Sequence, residues 1–177
     1  TISYYVAALE DERERQHYVG DLADVLVEAG RNREAAMLLA ESGESTMLTG
    51  KRYESAGYQL LGGRMLERGS LAEAREAFSE ALKKEPGNAK AALGLGLCLG
   101  LTGEHSQAAE EFDRVAQIPG LPSDLYIQAV LNRGIAKGLL GDSQGEIADY
   151  TAAVELPGAP PDQIAKALVN RGFRKGA

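Results

Sequence analysis

Residues 55–88 read SAGYQLLGGRMLERGSLAEAREAFSEALKKEPGN. Their apolar and small side chains recur at intervals of three and four residues, which is typical of amphipathic helices. Gly69 and Ser70 divide the stretch, because glycine favours a helix C-terminus and serine favours a helix N-terminus. Pro86 and Gly87 end the second helix. The stretch therefore predicts two short antiparallel helices, each with one apolar face.

The same pattern returns 34 residues later, and then twice more at a spacing of 38 residues. Seven positions carry it in the first copy and return in the second: Tyr58, Leu61, Gly62, Met65, Gly69, Ala74 and Phe78 become Ala92, Leu95, Gly96, Leu99, Gly103, Ala108 and Phe112. The triplet Asn-Arg-Gly occurs at residues 132–134 and again at 170–172. A fainter copy runs from Val19 to Leu39. The chain is therefore built from repeats.

A 34-residue unit of two helices, with an aromatic residue, a Leu-Gly pair and an Ala-x3-Phe motif, resembles the tetratricopeptide repeat family. The resemblance covers residues 55–177, with an Asn-Arg-Gly variant of 38-residue period in the C-terminal half. It implies an all-α fold, a right-handed superhelical stack of antiparallel helix pairs (an α-solenoid). We expect nine or ten helices, with turns near residues 30/32, 69/71, 103/105 and 141/143.

The repeats predict the organisation of the chain. Residues 1–15 are expected to form the second helix of a truncated repeat, and residues 165–177 the first helix of another. Between them we expect a degenerate repeat with a long connection, one standard repeat and two repeats with extended loops, at residues 16–54, 55–88, 89–126 and 127–164. Since this division begins and ends within a repeat, the chain is expected to be a fragment of a longer array.

Composition excludes several functional classes. The 177 residues contain 19 Lys plus Arg and 26 Asp plus Glu, so the net charge is −7 and no basic surface for nucleic acid is expected. No apolar run approaches the ~20 residues that span a bilayer, so no membrane partner is expected. The only cysteine, Cys98, cannot form an internal disulfide. We expect a cytoplasmic protein.

No constellation of catalytic or metal-binding residues is present. His17 and His105 lie among polar residues without further ligands at metal-binding spacing, so solvated histidines are the simpler interpretation. Cys98 lies within an apolar helix without a neighbouring base, which is typical of a buried small side chain. We therefore expect no enzyme activity, no cofactor and no metal.

The resemblance implies that the first helix of each pair lines a concave surface that holds a peptide or a partner helix. Helical register assigns ten residues to this predicted groove: Gln59, Lys90, Leu93, Leu97, Gln128, Leu131, Ile135, Lys166, Val169 and Phe173. Family members that grip a C-terminal carboxylate carry Lys, Asn and Arg at these places. Because Leu93, Leu97 and Leu131 stand there instead, the groove is expected to be apolar. The alternative is that some of these residues belong to the core.

Two functions remain open at this stage. The first is a protein-interaction scaffold whose apolar groove binds a peptide or a partner helix. The second is a regulatory or self-assembly segment of a larger multidomain signalling protein, with self-association through exposed terminal helices.

One ion pair is predicted within the third complete repeat. Arg133 occupies the place of Leu61 and Leu95, so its charge needs a partner if the side chain is buried. Asp149, which precedes Tyr150 on the second helix, is the natural candidate. The alternative is an arginine whose head group reaches water.

Overall fold

The computed structural model describes residues 12–42 and 50–175, with side chains for residues 17–42 and 50–172. Over those ranges the chain forms nine α-helices and no strand. The helices are α1 Glu12–Glu28, α2 Asn32–Ser42, α3 Gly50–Glu67, α4 Leu71–Lys84, α5 Ala89–Leu101, α6 His105–Ala116, α7 Ser123–Leu139, α8 Ser143–Glu155 and α9 Pro161–Lys175. Helix α1 packs on α2, α2 on α3 and α3 on α4, and likewise α6 packs on α7, α7 on α8 and α8 on α9. The all-α prediction is confirmed.

The chain divides into two compact units, Thr1–Ala91 and Ala92–Ala177. The first unit contains α1 to α4, and the second contains α6 to α9 with most of α5. The division falls within the first turn of α5. The right-handed superhelix implied by the resemblance stays a prediction.

Two predicted boundaries differ from the helices of the first unit. Helix α1 begins at Glu12, inside the range assigned to an earlier helix, while residues 1–11 lie outside the described residues. Helix α3 begins at Gly50 rather than near Ser55. Contacts to neighbouring helices hold this additional turn, because Glu54 Oε2 lies 2.5 Å from Lys84 Nζ and the Tyr53 hydroxyl donates to the Met37 carbonyl at 3.4 Å.

The same glycine turn joins each pair of helices. Its glycine has a positive φ in all four cases: Gly30 at 73°, Gly69 at 75°, Gly103 at 84° and Gly141 at 84°. The amide of the following residue then donates to a carbonyl five residues earlier, as Glu104 N does to Leu99 O at 2.9 Å. This bond satisfies a carbonyl at the end of the helix. The four predicted turn positions are therefore confirmed.

We expect Gly103→Ala to lower the free energy of unfolding by about 1–2 kcal/mol, because an L-residue with a side chain is strained at positive φ. Gly87→Ala is the matched control, since Gly87 also lies in a turn but has no positive φ and has open space around it. Denaturant titration measures both variants. Equal effects of the two substitutions would contradict the strain argument.

In three helix pairs, a glycine of the first helix lies directly against an aromatic ring of the second. A Cβ built on Gly62 would lie 2.7 Å from the Phe78 ring, and one on Gly96 would lie 2.6 Å from the Phe112 ring. At Gly134 the corresponding distance to the Tyr150 ring is 2.9 Å. Real side-chain atoms do not approach this closely. The Leu-Gly pair of the repeat is therefore a packing feature.

Candidate partner-binding surface

In the first unit, a depression with a volume of about 390 Å³ lies among α1, α2 and α3. Val19 of α1 and Leu39 of α2 form its apolar part, while Gln59, Gly63 and Glu67 of α3 line another side. Gln59, which register assigned to the predicted groove, therefore lines an open concave surface. Gly63, on the same face of α3, leaves the space open because nothing lies within 4 Å of a Cβ built on it.

An ion-pair cluster borders this depression. Arg64 binds Asp24 with two hydrogen bonds, from Nε to Oδ1 at 2.7 Å and from Nη2 to Oδ2 at 2.6 Å, and Arg68 donates to the same carboxylate. The Asp24 side chain is buried, and its hydrogen bonds raise the pKa of the Arg64 guanidinium. The guanidinium lies directly against Gly20, where a side chain would displace it. The cluster joins α1 to α3, so its role is structural.

In the second unit, Leu97 of α5 and Ile135 of α7 are exposed, with 36% and 43% of their surfaces open to solvent. Val169 of α9 is also exposed. The three residues belong to successive first helices of the repeats, as register predicted. The predicted polar members Lys90, Gln128 and Lys166 are exposed as well, with Lys90 in the first unit. The Phe173 side chain lies outside the described residues.

Two predicted groove residues belong to the core instead. Leu93 is 6% exposed and Leu131 is 7% exposed, so neither offers apolar surface to a partner. Leu131 packs in a cluster with Tyr150 of α8 and Ala167 of α9. It lies four residues before Ile135, and four residues advance a helix by about 40° beyond one full turn. That rotation is enough to turn the side chain from solvent into the space between helices.

The exposed apolar surface extends one turn further than the sequence indicated. Leu101 is 65% exposed and Leu139 is 60% exposed, each four residues after Leu97 or Ile135. The sequence did contain a signal for these two residues, because a leucine recurs one turn further along both α5 and α7. We call Leu97, Leu101, Ile135 and Leu139 the exposed strip. Leu140, the C-cap residue of α7, is also exposed.

The predicted pair between Arg133 and Asp149 is confirmed. Arg133 donates from Nε to Asp149 Oδ2 at 3.0 Å and from Nη2 to Oδ1 at 2.6 Å. Two further residues, which the repeat pattern did not predict, join this pair: Lys137 Nζ lies 2.9 Å from Asp149 Oδ2, and Asp113 of α6 also accepts from Arg133. The hydrogen bonds to Asp149 raise the pKa of the Arg133 guanidinium. This network joins α6, α7 and α8.

The described residues contain no group of three or more His, Cys, Asp and Glu side chains that could hold a metal ion. Cys98 is buried, and His17 is exposed with its Nε2 atom 3.3 Å from Asp21 Oδ2. Of the helices in residues 12–42 and 50–175, none is long and apolar enough to cross a membrane.

The family model of the tetratricopeptide repeat matches residues 64–122. Over those residues, which are a third of the chain, the sequence is similar to tetratricopeptide repeats. The matched range begins within α3 and ends in the loop after α6. It therefore includes most of the first 34-residue copy of the pattern and all of the second. No protein with curated annotation matches the chain.

The fold of this chain is similar to that of solved structures of MamA. The structure of MamA AMB-1 has a TM-score of 0.55 and 23% identity, covering 93% of this chain and 87% of its own. The structure of MamA MSR-1 has a TM-score of 0.54 and 22% identity, covering 92% of this chain and 90% of its own. At this identity the likeness concerns the fold alone.

Proposed function

We propose that the chain is a protein-interaction scaffold and that the exposed strip binds an apolar peptide or a helix of a partner protein. The observation that carries the proposal is the repetition of exposed Leu97 and Leu101 on α5 as exposed Ile135 and Leu139 on α7. Single exposed apolar residues are ordinary, whereas a repeated set on successive first helices is typical of a binding surface. Tetratricopeptide repeats use this surface for protein partners.

The energetics allow a useful affinity. A partner that buries ~500 Å² of apolar surface would gain about 12 kcal/mol at ~25 cal/mol per Å², before the costs of ordering are subtracted. Micromolar affinity requires about 8 kcal/mol. Gln128 and Lys166 are exposed on α7 and α9 and can contact polar or acidic groups of the partner.

Leu97→Glu and Ile135→Glu test this proposal. Peptides selected from a displayed random library against the unaltered chain serve as the probes, and their dissociation constants are measured with each variant. We expect each glutamate to weaken binding by about tenfold or more, because it places a charge in an apolar contact. The melting temperature should change by only a few degrees, since both side chains already face solvent.

Two further variants are controls. Leu131→Glu should unfold the second unit, because it buries a charge in the core. Gln107→Glu on the exposed face of α6 should leave peptide binding unchanged. Peptides that bind equally well to Leu97→Glu, Ile135→Glu and the unaltered chain would contradict the proposal. Light scattering measures the oligomeric state of the same variants. It shows whether a second copy of the chain occupies the exposed strip, as the self-assembly alternative requires.

A further inference from the structure

A second depression, with a volume of about 140 Å³, lies inside the first unit. Val27 of α1 and Asn32 of α2 line one side of it, and α4 lines the other. Its apolar lining also includes the buried side chains of Leu61 and Met65 on α3 and of Ala77 on α4. Because described helices border it on both sides, the depression does not result from an incomplete repeat.

Three carboxylates of α4 line the same depression, those of Glu73, Glu76 and Glu80. Their spacing of three and four residues places them on one face of the helix, where like charges destabilise a helix. Glu80 Oε1 lies 2.5 Å from Lys83 Nζ. Within residues 17–42 and 50–172, neither Glu73 nor Glu76 has an ion pair. These two negative charges therefore have no partner in the fold that explains their position.

The acids are a property of this repeat and not of the repeat pattern. Only in this copy do all three equivalent positions carry an acid. The preceding copy has Glu34, Met37 and Glu41, and the following copies have Gln107, Glu110 and Arg114, and then Gly145, Ala148 and Ala152. Packing of a helix pair therefore does not require carboxylates at these places.

The remaining polar groups of the lining also favour a positively charged donor. Asn32 Oδ1 is buried and accepts no hydrogen bond from the described residues. Burial and the Glu80 carboxylate both raise the pKa of the Tyr58 phenol, so the phenol stays uncharged. A buried acceptor without a donor is costly, which a ligand that donates hydrogen bonds would relieve.

We propose that this depression is a docking site for a lysine or arginine side chain of a partner protein. The cationic group binds the carboxylates of Glu73 and Glu76, and the methylene stem lies against Leu61 and Met65. The apolar lining favours a cation with a long stem over a small ion, because lysine and arginine bury their stems along apolar surface. The described residues contain no group of acids that could hold a metal ion. The site is separate from the exposed strip.

Fluorescein-labelled hexalysine and hexaarginine are the probes, titrated with the full chain and followed by fluorescence anisotropy. The titrations contain about 0.15 M salt, which screens charges more than about 8 Å apart and so reduces general attraction to an acidic protein. We expect saturable binding with one peptide for each chain. The peptide that binds more tightly identifies the side chain that the depression accepts.

The carboxylates are tested with two double variants that remove the same number of charges. Glu73→Gln with Glu76→Gln should weaken peptide binding about tenfold or more, because it removes the charges that face the cation. Glu110→Gln with Glu155→Gln is the matched control, since both residues are exposed and lie in the second unit. It should weaken binding less than about twofold, because distant surface charges are screened.

The apolar lining is tested by Ala77→Leu, which leaves the net charge unchanged. We expect the leucine to occupy the place of the stem and to weaken binding about tenfold. The larger residues Glu111 and Asp149 stand at the equivalent positions of the next two copies, so the melting temperature should change by only a few degrees. If Ala77→Leu does unfold the chain, the two double variants still decide the matter.

The proposal would be overturned by absence of saturable binding of both peptides, by equal weakening in the two double variants, or by full binding to a folded Ala77→Leu variant. Light scattering covers the remaining occupant: self-association that Glu73→Gln with Glu76→Gln removes would show that a second copy of the chain fills the depression, and would also overturn it. Leu97→Ser in the exposed strip should leave binding of both peptides unchanged, so the two proposed surfaces can fail separately.

Discussion

Gly62→Ala is expected to lower the free energy of unfolding by about 1–3 kcal/mol, although alanine is the better helix former. The reason is that the added Cβ would lie 2.7 Å from the ring of Phe78, which is itself buried. Either α3 and α4 must separate or the ring must leave its position. Urea titration followed by circular dichroism measures the change.

The adjacent glycine is a matched control. Gly63 lies in the same turn of α3, and nothing approaches a Cβ built on it within 4 Å. Gly63→Ala should therefore raise the free energy of unfolding by up to about 1 kcal/mol through helix propensity. If Gly62→Ala were as stable as Gly63→Ala, close helix approach would not explain the glycine of the repeat.

Asp149→Ala is expected to destabilise the second unit by about 3–5 kcal/mol, because it removes the carboxylate shared by two cations. The Asp149 and Arg133 side chains are only 5% and 16% exposed, so water cannot replace the lost hydrogen bonds. Lys137 loses its partner in the same variant. Chemical unfolding of the full chain measures the loss.

Asp113 offers a control within the same network. Its side chain is 46% exposed, so Asp113→Ala should cost at most about 1 kcal/mol. The exchanged pair, Arg133→Asp with Asp149→Arg, should be more stable than either single change. An Asp149→Ala variant that loses less stability than Asp113→Ala would indicate that Asp113, and not Asp149, is the main partner of Arg133.

Local rules were sufficient for the helix boundaries that depend on glycine turns. Gly69 and Gly103 adopt the backbone conformation that only glycine accepts readily, so their positions in the sequence specify the turns. The beginning of α3 was not predictable in this way. Residues 50–54 contain no strong helix signal, and ion pairs with Lys84 and Arg33 hold Glu54 in place.

The candidate surface was likewise predictable only in part. The 38-residue repeat was enough to relate Leu97 to Ile135 and Arg133 to Arg171, because residues at equal places in a repeat meet similar neighbours. It was also enough to pair Arg133 with Asp149 within one helix pair. Helical register could not predict that Leu93 and Leu131 are buried, since a helical position specifies the direction of a side chain only to within about a quarter turn.

The sequence by itself determined the helices, their pairing and the turns between them, because these depend on periodicity and on glycine within one repeat. Only the tertiary structure decided which apolar side chains remain at the surface. Leu131 is covered by residues of α8 and α9, whereas Ile135, one turn later on the same helix, is not. The physical reason is that burial depends on neighbouring helices, and a rotation of about 40° per four residues changes which neighbour a side chain meets.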